Sequence, residues 1–436
     1  MNRSVMFVLW LIPILFLVVD TGDQGLLEGD IFWFFLVVIV LFVARSLGLT
    51  GEPDDREEGS LHTRSREEIA ELERALQPYL AVASSRSDGE ILEFEGRLRT
   101  APEEALSALE RLFRGEMLTL SEGENGSARI VLIPRGSIES SSDDPRWWLQ
   151  ISLFVLTILT TTWVGALQAG VDLVREPSRF GVCLPFSLGL LAILSAHELG
   201  HYFAARRFGM SVTLPYFIPV PVSLGTFGAF IGLKSRAPNR KALFDVAIAG
   251  PLAGLIVAVL VLWRGLQNSL VVNGSATSLF FPFLGVDVGS SVILATMSKL
   301  ALKGALLHGH RVIFDPLALA GWFGVVINAI NLLPIGQLDG GYITHALLGQ
   351  KRANVASIIG LIAVFFLAFF VSSELLMWAF VIFFIASTRN VLPANDLTPI
   401  GPARTALGYL ALALLLIILI PLPGSFYPAL RIHPYS

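Results

Sequence analysis

Long apolar runs separated by short polar segments make up most of this chain, which has a mean hydropathy of +0.67. Runs of about 20 apolar residues are long enough to cross a bilayer as helices. The pattern predicts a polytopic α-helical membrane protein with about eight transmembrane helices. The first two cover residues 5–19 and 31–47, and the last two cover residues 375–386 (extended to 392) and 405–421.

Two apolar regions are not predicted to be ordinary transmembrane helices, and the first of them lacks a helical period. Residues 211–234 contain several prolines and glycines and no charged side chain before Lys234. They predict a re-entrant β-hairpin, which is tolerated at membrane depth only when it is buried in protein or lines a wet cavity. Residues 277–298 are moderately apolar but contain Asp287. We interpret this second region as re-entrant or interfacial, with a full span as the alternative.

One polar insert interrupts the membrane pattern. Residues 52–146 hold 22 acidic and 12 basic side chains. Ser65 with Glu68 forms a capping-box sequence that predicts a helix, and a second helix is predicted to begin at a cap on Thr100. Strand-like runs occur at residues 90–95, 117–120 and 129–133. The insert is therefore predicted to be a small soluble α+β domain, with a docking or regulatory role.

These patterns divide the chain into four predicted parts. They are two N-terminal transmembrane helices (1–50), a cytoplasmic α+β domain (51–146), a catalytic membrane core (147–349) and C-terminal transmembrane helices (350–436). Only 15% of the residues are charged, against about 25% in soluble proteins, which also indicates a membrane protein. The net charge of −4 argues against nucleic acid as a partner. Cys183 is the only cysteine, which excludes an internal disulfide and a cysteine metal cluster.

Candidate chemistry lies within the apolar run at residues 180–208. His197-Glu198-x-x-His201 puts two histidines on one face of a helix with a glutamate beside them. That arrangement is typical of zinc hydrolases, in which the histidines bind the metal and the carboxylate transfers a proton. Ionisable residues inside a membrane are costly and therefore indicate function. A catalytic zinc needs a third ligand, for which the other histidines and Asp339 are the candidates.

The distribution of charges favours Asp339. The turn between the first two predicted spans is acidic and contains no Lys or Arg, so it is predicted to lie outside. Arg206 and Arg207 then place the end of the histidine-bearing span on the inner side. The span at 316–333, which precedes Asp339, ends on that same side only if residues 277–298 do not cross. His308 and His310 remain alternatives as a gate or an added metal contact, although exposed loop histidines are more common.

Four motifs together resemble the site-2 protease family of intramembrane zinc metalloproteases, in particular its bacterial and plastid subgroup. They are His197-Glu198-x-x-His201, Gly225-Thr226-Phe227-Gly228-Ala229-Phe230, Gly250-Pro251-x-x-Gly254 and Asn331-x-x-Pro334-x-x-x-x-Asp339-Gly340. The resemblance covers about residues 180–349. It implies one zinc ion per chain, bound by His197, His201 and Asp339.

The same resemblance implies a reaction and its substrates. Glu198 would be the general base for hydrolysis of a peptide bond, and Asn331 would hold the substrate backbone or the oxyanion. The substrates would be membrane proteins cut in or near a transmembrane helix, and the hairpin would pair with the unwound helix. Besides these substrates, the expected partner is the lipid bilayer; the oligomeric state is open. No PDZ-like insert is evident.

Two other functions compete with an intramembrane zinc endopeptidase. A non-proteolytic membrane scaffold would keep an unused metal site, although the complete set of ligands and base argues against it. A transporter would also contain broken spans and buried carboxylates, but the sequence shows no inverted repeat. Because no transit peptide is evident, we expect a multi-pass protein of a bacterial cytoplasmic membrane with its active site towards the cytoplasm.

Overall fold

The computed structural model describes residues 66–88, 91–123, 126–134, 147–221, 224–273, 291–302, 310–370, 379, 382 and 392–419. The predicted spans at residues 5–19 and 31–47 lie outside these ranges. So does almost all of the span predicted at residues 375–392.

The polar insert forms an antiparallel four-stranded sheet with two helices. Along the chain its elements are α1 (Arg66–Leu76), β1 (Leu80–Asp88), β2 (Ile91–Leu98), α2 (Pro102–Leu112), β3 (Glu116–Glu122) and β4 (Ala128–Pro134). The strand order is β1-β2-β4-β3, so β1 and β3 are the edges. Apolar residues on one face of the sheet and on both helices form its core: Leu76, Leu80, Leu92, Phe94, Leu106, Leu109, Leu118, Leu120, Ala128, Ile130 and Leu132.

Two details of this domain differ from the sequence prediction. Thr100 does not cap α2, because Ala101 is the N-cap residue and makes no side-chain capping bond. Alanine has no side-chain acceptor, and Pro102 favours a helix start because its fixed φ suits the first helical position, where an N–H would have no helical partner. Strand β1 was not predicted, because its serine-rich sequence has no alternation and its ladder is interrupted by a bulge between Val82 and Ser84.

The remainder of the described chain is mostly helical. Its helices are α3 (Trp147–Gln168), α4 (Phe180–Arg207), α5 (Arg240–Asn268), α6 (Val292–Ala301), α7 (Pro316–Asn331), α8 (Asp339–Leu348), α9 (Gln350–Phe370) and α10 (Pro402–Leu419). Within the described residues, five helices are long and apolar enough to cross a membrane: α3, α4, α5, α9 and α10. With 16 residues, α7 extends for about 24 Å, somewhat less than a bilayer core.

Helices α4, α5 and α7 form the centre of this helical region. Glycines allow the backbones of α5 and α7 to touch. A Cβ on Gly321 of α7 would lie 2.3 Å from the backbone nitrogen of Leu262, and one on Gly265 of α5 would lie 2.1 Å from that of Ala318. Helices in lipid associate through close contact at small residues, because burial of apolar surface there contributes little to the free energy of association.

A short ladder joins the far end of α5 to the start of α7. Strand β7 (Leu270–Asn273) pairs antiparallel with β8 (His310–Ile313), and Asn273 lies opposite His310. The chain therefore leaves α5 and enters α7 at the same end of the helical region. Helix α7 runs back antiparallel to α5. This is the orientation that the sequence argument required for Asp339. Helix α6, with 10 residues or about 15 Å, is too short to span.

Residues 216–230 form a hairpin of two strands, β5 (Tyr216–Pro219) and β6 (Thr226–Phe230). It lies along α3: Gln150 Nε2 donates to the carbonyl of Leu214 at 3.1 Å, and Thr160 Oγ1 donates to that of Gly225 at 2.7 Å. Gly225 has φ +82°, and a Cβ there would lie 2.4 Å from the Cα of Thr161, so only glycine fits. From Gln150 to Thr160 the helix rises about 15 Å, which is how far the hairpin follows it.

Candidate metal centre

Two imidazoles and one carboxylate meet between α4 and the start of α8. His197 Nε2 lies 3.2 Å from Asp339 Oδ2, and His201 Nε2 lies 3.3 Å from the same oxygen. The two Nε2 atoms are 3.0 Å apart. Bonds of about 2 Å to a tetrahedral ion separate its ligand atoms by roughly 3.3 Å, so these spacings fit one shared metal ion.

The other ring nitrogens have partners that orient both imidazoles. His197 Nδ1 donates to Asn328 Oδ1 at 2.9 Å. His201 Nδ1 donates to the carbonyl of Val246 at 2.8 Å. Asn328 is fixed in turn, because its Nδ2 donates to the carbonyl of Gly324 at 2.7 Å. A ring that donates from Nδ1 keeps a lone pair on Nε2, so both lone pairs are available at the shared point.

Two glycines of α5 make room for the imidazoles. A Cβ on Gly250 would lie 2.1 Å from His201 Nε2. A Cβ on Gly254 would lie 2.4 Å from Asn328 Oδ1 and 3.0 Å from His197 Cβ. Any larger residue at either position would displace a predicted ligand or its partner. The glycine motif of α5 is therefore part of the site as well as a packing surface.

A tight turn between α7 and α8 positions Asp339. The carboxylate belongs to the first residue of α8, where it also faces the positive end of the helix dipole. A Cβ on Gly340 would lie 2.0 Å from the carbonyl oxygen of Leu332, and one on Gly341 would lie 2.1 Å from that of Gly336. These two glycines let the start of α8 pack directly against the preceding turn.

Glu198 is buried beside the histidines, with a side-chain environment set by the hairpin. It follows His197 directly in α4 and is 6% exposed. The backbone N–H of Ile231, just beyond β6, donates to its carboxylate. The hairpin thus ends within hydrogen-bond reach of the predicted general base.

Comparison with known proteins relates the sequence around this site to a protein family. The sequence profile of peptidase family M50 matches residues 185–372. We call residues 185–372 the M50 domain after this match. This confirms the resemblance of the His197 and Asp339 motifs to the site-2 protease family, to which M50 corresponds.

Relatives that align with 76–77% of this chain bear the same kind of name. Two from Arabidopsis thaliana are "Probable zinc metalloprotease EGY2, chloroplastic", 30% identical over 358 residues, and "Probable zinc metalloprotease EGY1, chloroplastic", 30% identical over 368 residues. The first alignment covers 76% of this chain and 60% of the relative, and the second covers 76% and 66%. The rice EGY1 protein (Oryza sativa subsp. japonica) is also 30% identical, with coverage of 77% and 63%. No solved structure matches.

These relatives bear on two earlier expectations. This chain spans between 60% and 66% of their length. Their names place them in chloroplasts, so they lend no support to the bacterial cytoplasmic membrane expected from the sequence. They do not favour the scaffold or the transporter as an alternative function.

Within the M50 domain, Asn328 is a functional candidate that the sequence analysis missed. The motif drew attention to Asn331, which ends α7 and is half-buried. Asn328 lies about one turn earlier and makes the contact with His197 described above. An amide inside an apolar helix is itself a signal, because a buried polar group needs a partner.

The remaining histidine candidates lie elsewhere or outside the described chain. His308 is not among the described residues. His310 pairs with Asn273 at the ladder beyond the far end of α5. Gly250 and Asn268 are 18 residues apart, about 27 Å along that helix, so the structure does not bring His310 to the M50 centre.

Proposed function

We propose that this protein is a zinc-dependent intramembrane endopeptidase that cleaves membrane proteins in or near a transmembrane helix. The observation that carries the proposal is the convergence of His197 Nε2, His201 Nε2 and Asp339 Oδ2 within 4.8 Å, inside an M50 domain. The activity in the names of the plant relatives agrees with it. Asn328 and Val246 hold the imidazoles in the orientation that a metal needs.

The donor set fits one zinc ion per chain. Two neutral imidazoles and a carboxylate supply three ligands, as in catalytic zinc sites that keep a fourth position open. Bound there, zinc would act as a Lewis acid towards the scissile carbonyl and the attacking water.

We assign the proton transfers to Glu198. Its carboxylate accepts a proton from water as the oxygen attacks the scissile carbonyl, and it returns a proton to the leaving amine. Burial excludes bulk water from this carboxylate, and the N–H of Ile231 limits its rotation. Asn331 at the end of α7 is assigned to the substrate backbone or the oxyanion, to which its amide would donate.

The hairpin is assigned to the substrate. A transmembrane helix hides its peptide bonds in its own hydrogen bonds, so it must unwind locally before hydrolysis. An extended segment can pair with a free strand edge by β-augmentation. The contacts of the hairpin with Gln150 and Thr160 of α3, and with Glu198, support a re-entrant hairpin that delivers this segment to the base.

The proposed site lies near the membrane face that carries the α+β domain. His201 is six residues before Arg207, the last residue of α4, or about 9 Å along the helix axis. Arg236, in the loop that follows the hairpin, donates to Thr119 Oγ1 and to the carbonyl of Leu118 in β3. We therefore propose that residues 51–146 form a soluble domain beside the active site, on the cytoplasmic face or its organellar equivalent. The core at 147–349 and the helices at 350–436 would complete the membrane body.

Zinc content tests the assignment of ligands. In purified full-length protein in nanodiscs, we expect one zinc per chain in the wild type and its loss in Asp339→Ala. Stoichiometric zinc in Asp339→Ala would exclude this ligand set.

Cleavage tests the activity. Wild type should cleave a reconstituted single-span substrate, whereas Glu198→Ala should keep its zinc and lose cleavage, since proton transfer alone is removed. Equal cleavage by the two proteins would show that Glu198 is not the base.

A further inference from the structure

The far end of α8, remote from Asp339, is held by a buried charged cluster. His345 Nε2 donates to Asp396 Oδ1 at 2.8 Å, and both side chains are 3% exposed. Arg240 Nη2 donates to the carbonyl oxygens of His345 and Ala346, at 3.2 and 2.9 Å. Arg240 thus binds carbonyls of the last turn of α8, where a cation is favourable. We call Arg240, His345 and Asp396 the α8 anchor.

Asp396 belongs to a segment that lies between the two domains. On one side, the N–H of Leu120 in β3 donates to the carbonyl of Ala394, and the N–H of Asp396 donates to the carbonyl of Leu120, both at 2.8 Å. Residues 394–396 therefore extend the edge of the α+β sheet by one short parallel strand. We call residues 394–396 the bridging strand.

The other side of the bridging strand bonds to the M50 domain. The N–H of Ala394 donates to the carbonyl of Ala237 at 2.9 Å, and that of Asn395 donates to the carbonyl of Pro238 at 3.1 Å. The N–H of Arg240 donates in turn to the carbonyl of Asn395 at 3.2 Å. One strand is thus shared by the α+β sheet and by the chain that leads into α5.

Apolar and polar contacts fasten the same interface. Ala394 and Leu397 pack against the core of the α+β domain. Lys351 Nζ, at the start of α9, donates to the carbonyl of Gly123 at 2.8 Å. Arg236 makes the contacts with β3 already described. Docking of the α+β domain therefore holds the bridging strand between β3 and residues 237–240.

We propose that the α8 anchor is a positioning unit, through which docking of the α+β domain sets the place of Asp339 and hence the affinity of the zinc site. This inference rests on the proposed function. Helix α8 has 10 residues, with Asp339 at its start and the anchor at its end, so it carries a shift from one to the other as a rigid body.

Buried ion pairs seldom add much stability, because desolvation offsets their attraction. Their best-supported use is to specify one arrangement over others. The α8 anchor would specify one position of α8 relative to the bridging strand. A protein or ligand that loosens the α+β domain from the bridging strand would then weaken zinc binding.

Zinc affinity of the full-length protein, measured by competition with a chelator, tests the anchor. We expect His345→Leu and Asp396→Asn each to weaken zinc binding about tenfold, the lower end of the 10–100-fold effect of residues that orient ligands directly. His345→Gln, which keeps a donor, should restore affinity to within about threefold of the wild type. A role in stability alone would instead lower the unfolding temperature of all three variants and leave zinc affinity unchanged.

A second pair of variants tests the domain without touching the anchor. Arg236→Ala combined with Lys351→Ala removes three of the docking bonds. We expect it to weaken zinc binding about threefold or more and to speed proteolysis of residues 66–134. Lys241→Ala, which removes an exposed ion pair with Glu103 at the same interface, should change neither.

The outcomes separate the inference from the proposed function. Absence of zinc from the wild type would overturn both. Zinc lost in Asp339→Ala but bound with wild-type affinity by His345→Leu, Asp396→Asn and the double variant would overturn the inference alone.

Discussion

The α+β domain and the M50 domain differ in which side chains they bury and expose. The core of the former is apolar, and its helices and strands bury it against one another. The M50 domain exposes large apolar side chains such as Ile358 and Ile362 of α9, and it buries His197, Glu198, His201 and Asn328. In lipid, apolar surface needs no burial, so close packing and polar contacts fix the helices. The buried polar groups of a membrane domain are therefore the place to look for its function.

Among these substitutions, Gly250→Ala should have the largest effect on zinc binding. A Cβ there would meet His201 Nε2, so a methyl group added to a glycine of the M50 domain should remove a ligand. We expect zinc binding to weaken by more than about 100-fold, beyond the range for residues that only orient ligands.

Gly181→Ala is the control, since a Cβ there meets nothing within 4 Å. Competition with a chelator measures the zinc affinity of both variants. Wild-type affinity in Gly250→Ala would mean that the imidazole is free to move aside.

Gly96→Ala makes the matching change in the α+β domain. A Cβ there would lie 2.1 Å from the carbonyl oxygen of Ala81 in the neighbouring strand, so overpacking should destabilise the domain by about 1–3 kcal/mol. Zinc should remain at one per chain, because Gly96 lies in β2, away from the docking edge at β3, and the folded domain stays docked.

Denaturant unfolding, monitored through the proteolysis of residues 66–134, measures the effect of Gly96→Ala. Gly115→Ala, which has open space around its Cβ, should unfold like the wild type. Loss of zinc in Gly96→Ala would show that the two domains fold as one unit.

Asn328→Leu tests whether the partner of an imidazole matters as much as the imidazole. It removes the acceptor for His197 Nδ1, so the ring loses its fixed orientation. Zinc affinity should fall about 10–100-fold.

Asn331→Ala is the comparison for Asn328→Leu. It should keep zinc affinity and lower kcat, because its assigned contact is with the substrate. Chelator competition and cleavage kinetics distinguish the two asparagines, and a reversal of their effects would exchange their roles.

Lys241→Ala should have the smallest effect. The ion pair between Lys241 and Glu103 measures 3.6 Å, and both side chains are well exposed. Exposed pairs contribute roughly 0.2–1 kcal/mol, so the free energy of unfolding should change by less than about 1 kcal/mol. A larger change in denaturant unfolding would indicate that this pair is a main element of docking.

Much of the site was predictable from the sequence because its parts follow spacing rules. The spacing of four positions from His197 to His201 puts both side chains on one helix face, and the direction of the spans pointed to Asp339. Asn328 was missed because a helical asparagine outside any motif has no spacing to mark it. The pairing of Asn395 with Leu120 joins residues 275 positions apart, and no local pattern encodes it.

The fold was predictable to a similar degree. Apolar length identified α3, α4 and α5, since hydropathy reports directly on burial in lipid. Strand β1 escaped because an exposed edge strand has little alternation. The glycines and prolines of residues 211–234 predicted a re-entrant hairpin, and strands β5 and β6 pair within that range. The attachment of these strands to α3 through Thr160 depends on tertiary contact.

The β7–β8 ladder constrains how this protein can vary. Because Asn273 and His310 lie opposite each other, the residues between them begin and end at the same end of α5 and α7. Any crossings within that stretch must be even in number, whatever its length. Insertions there would leave the direction of α7 unchanged, and Asp339 would still arrive at the histidines. The residues between β7 and β8 can therefore vary without changing the direction of α7, and the candidate metal centre depends on that direction.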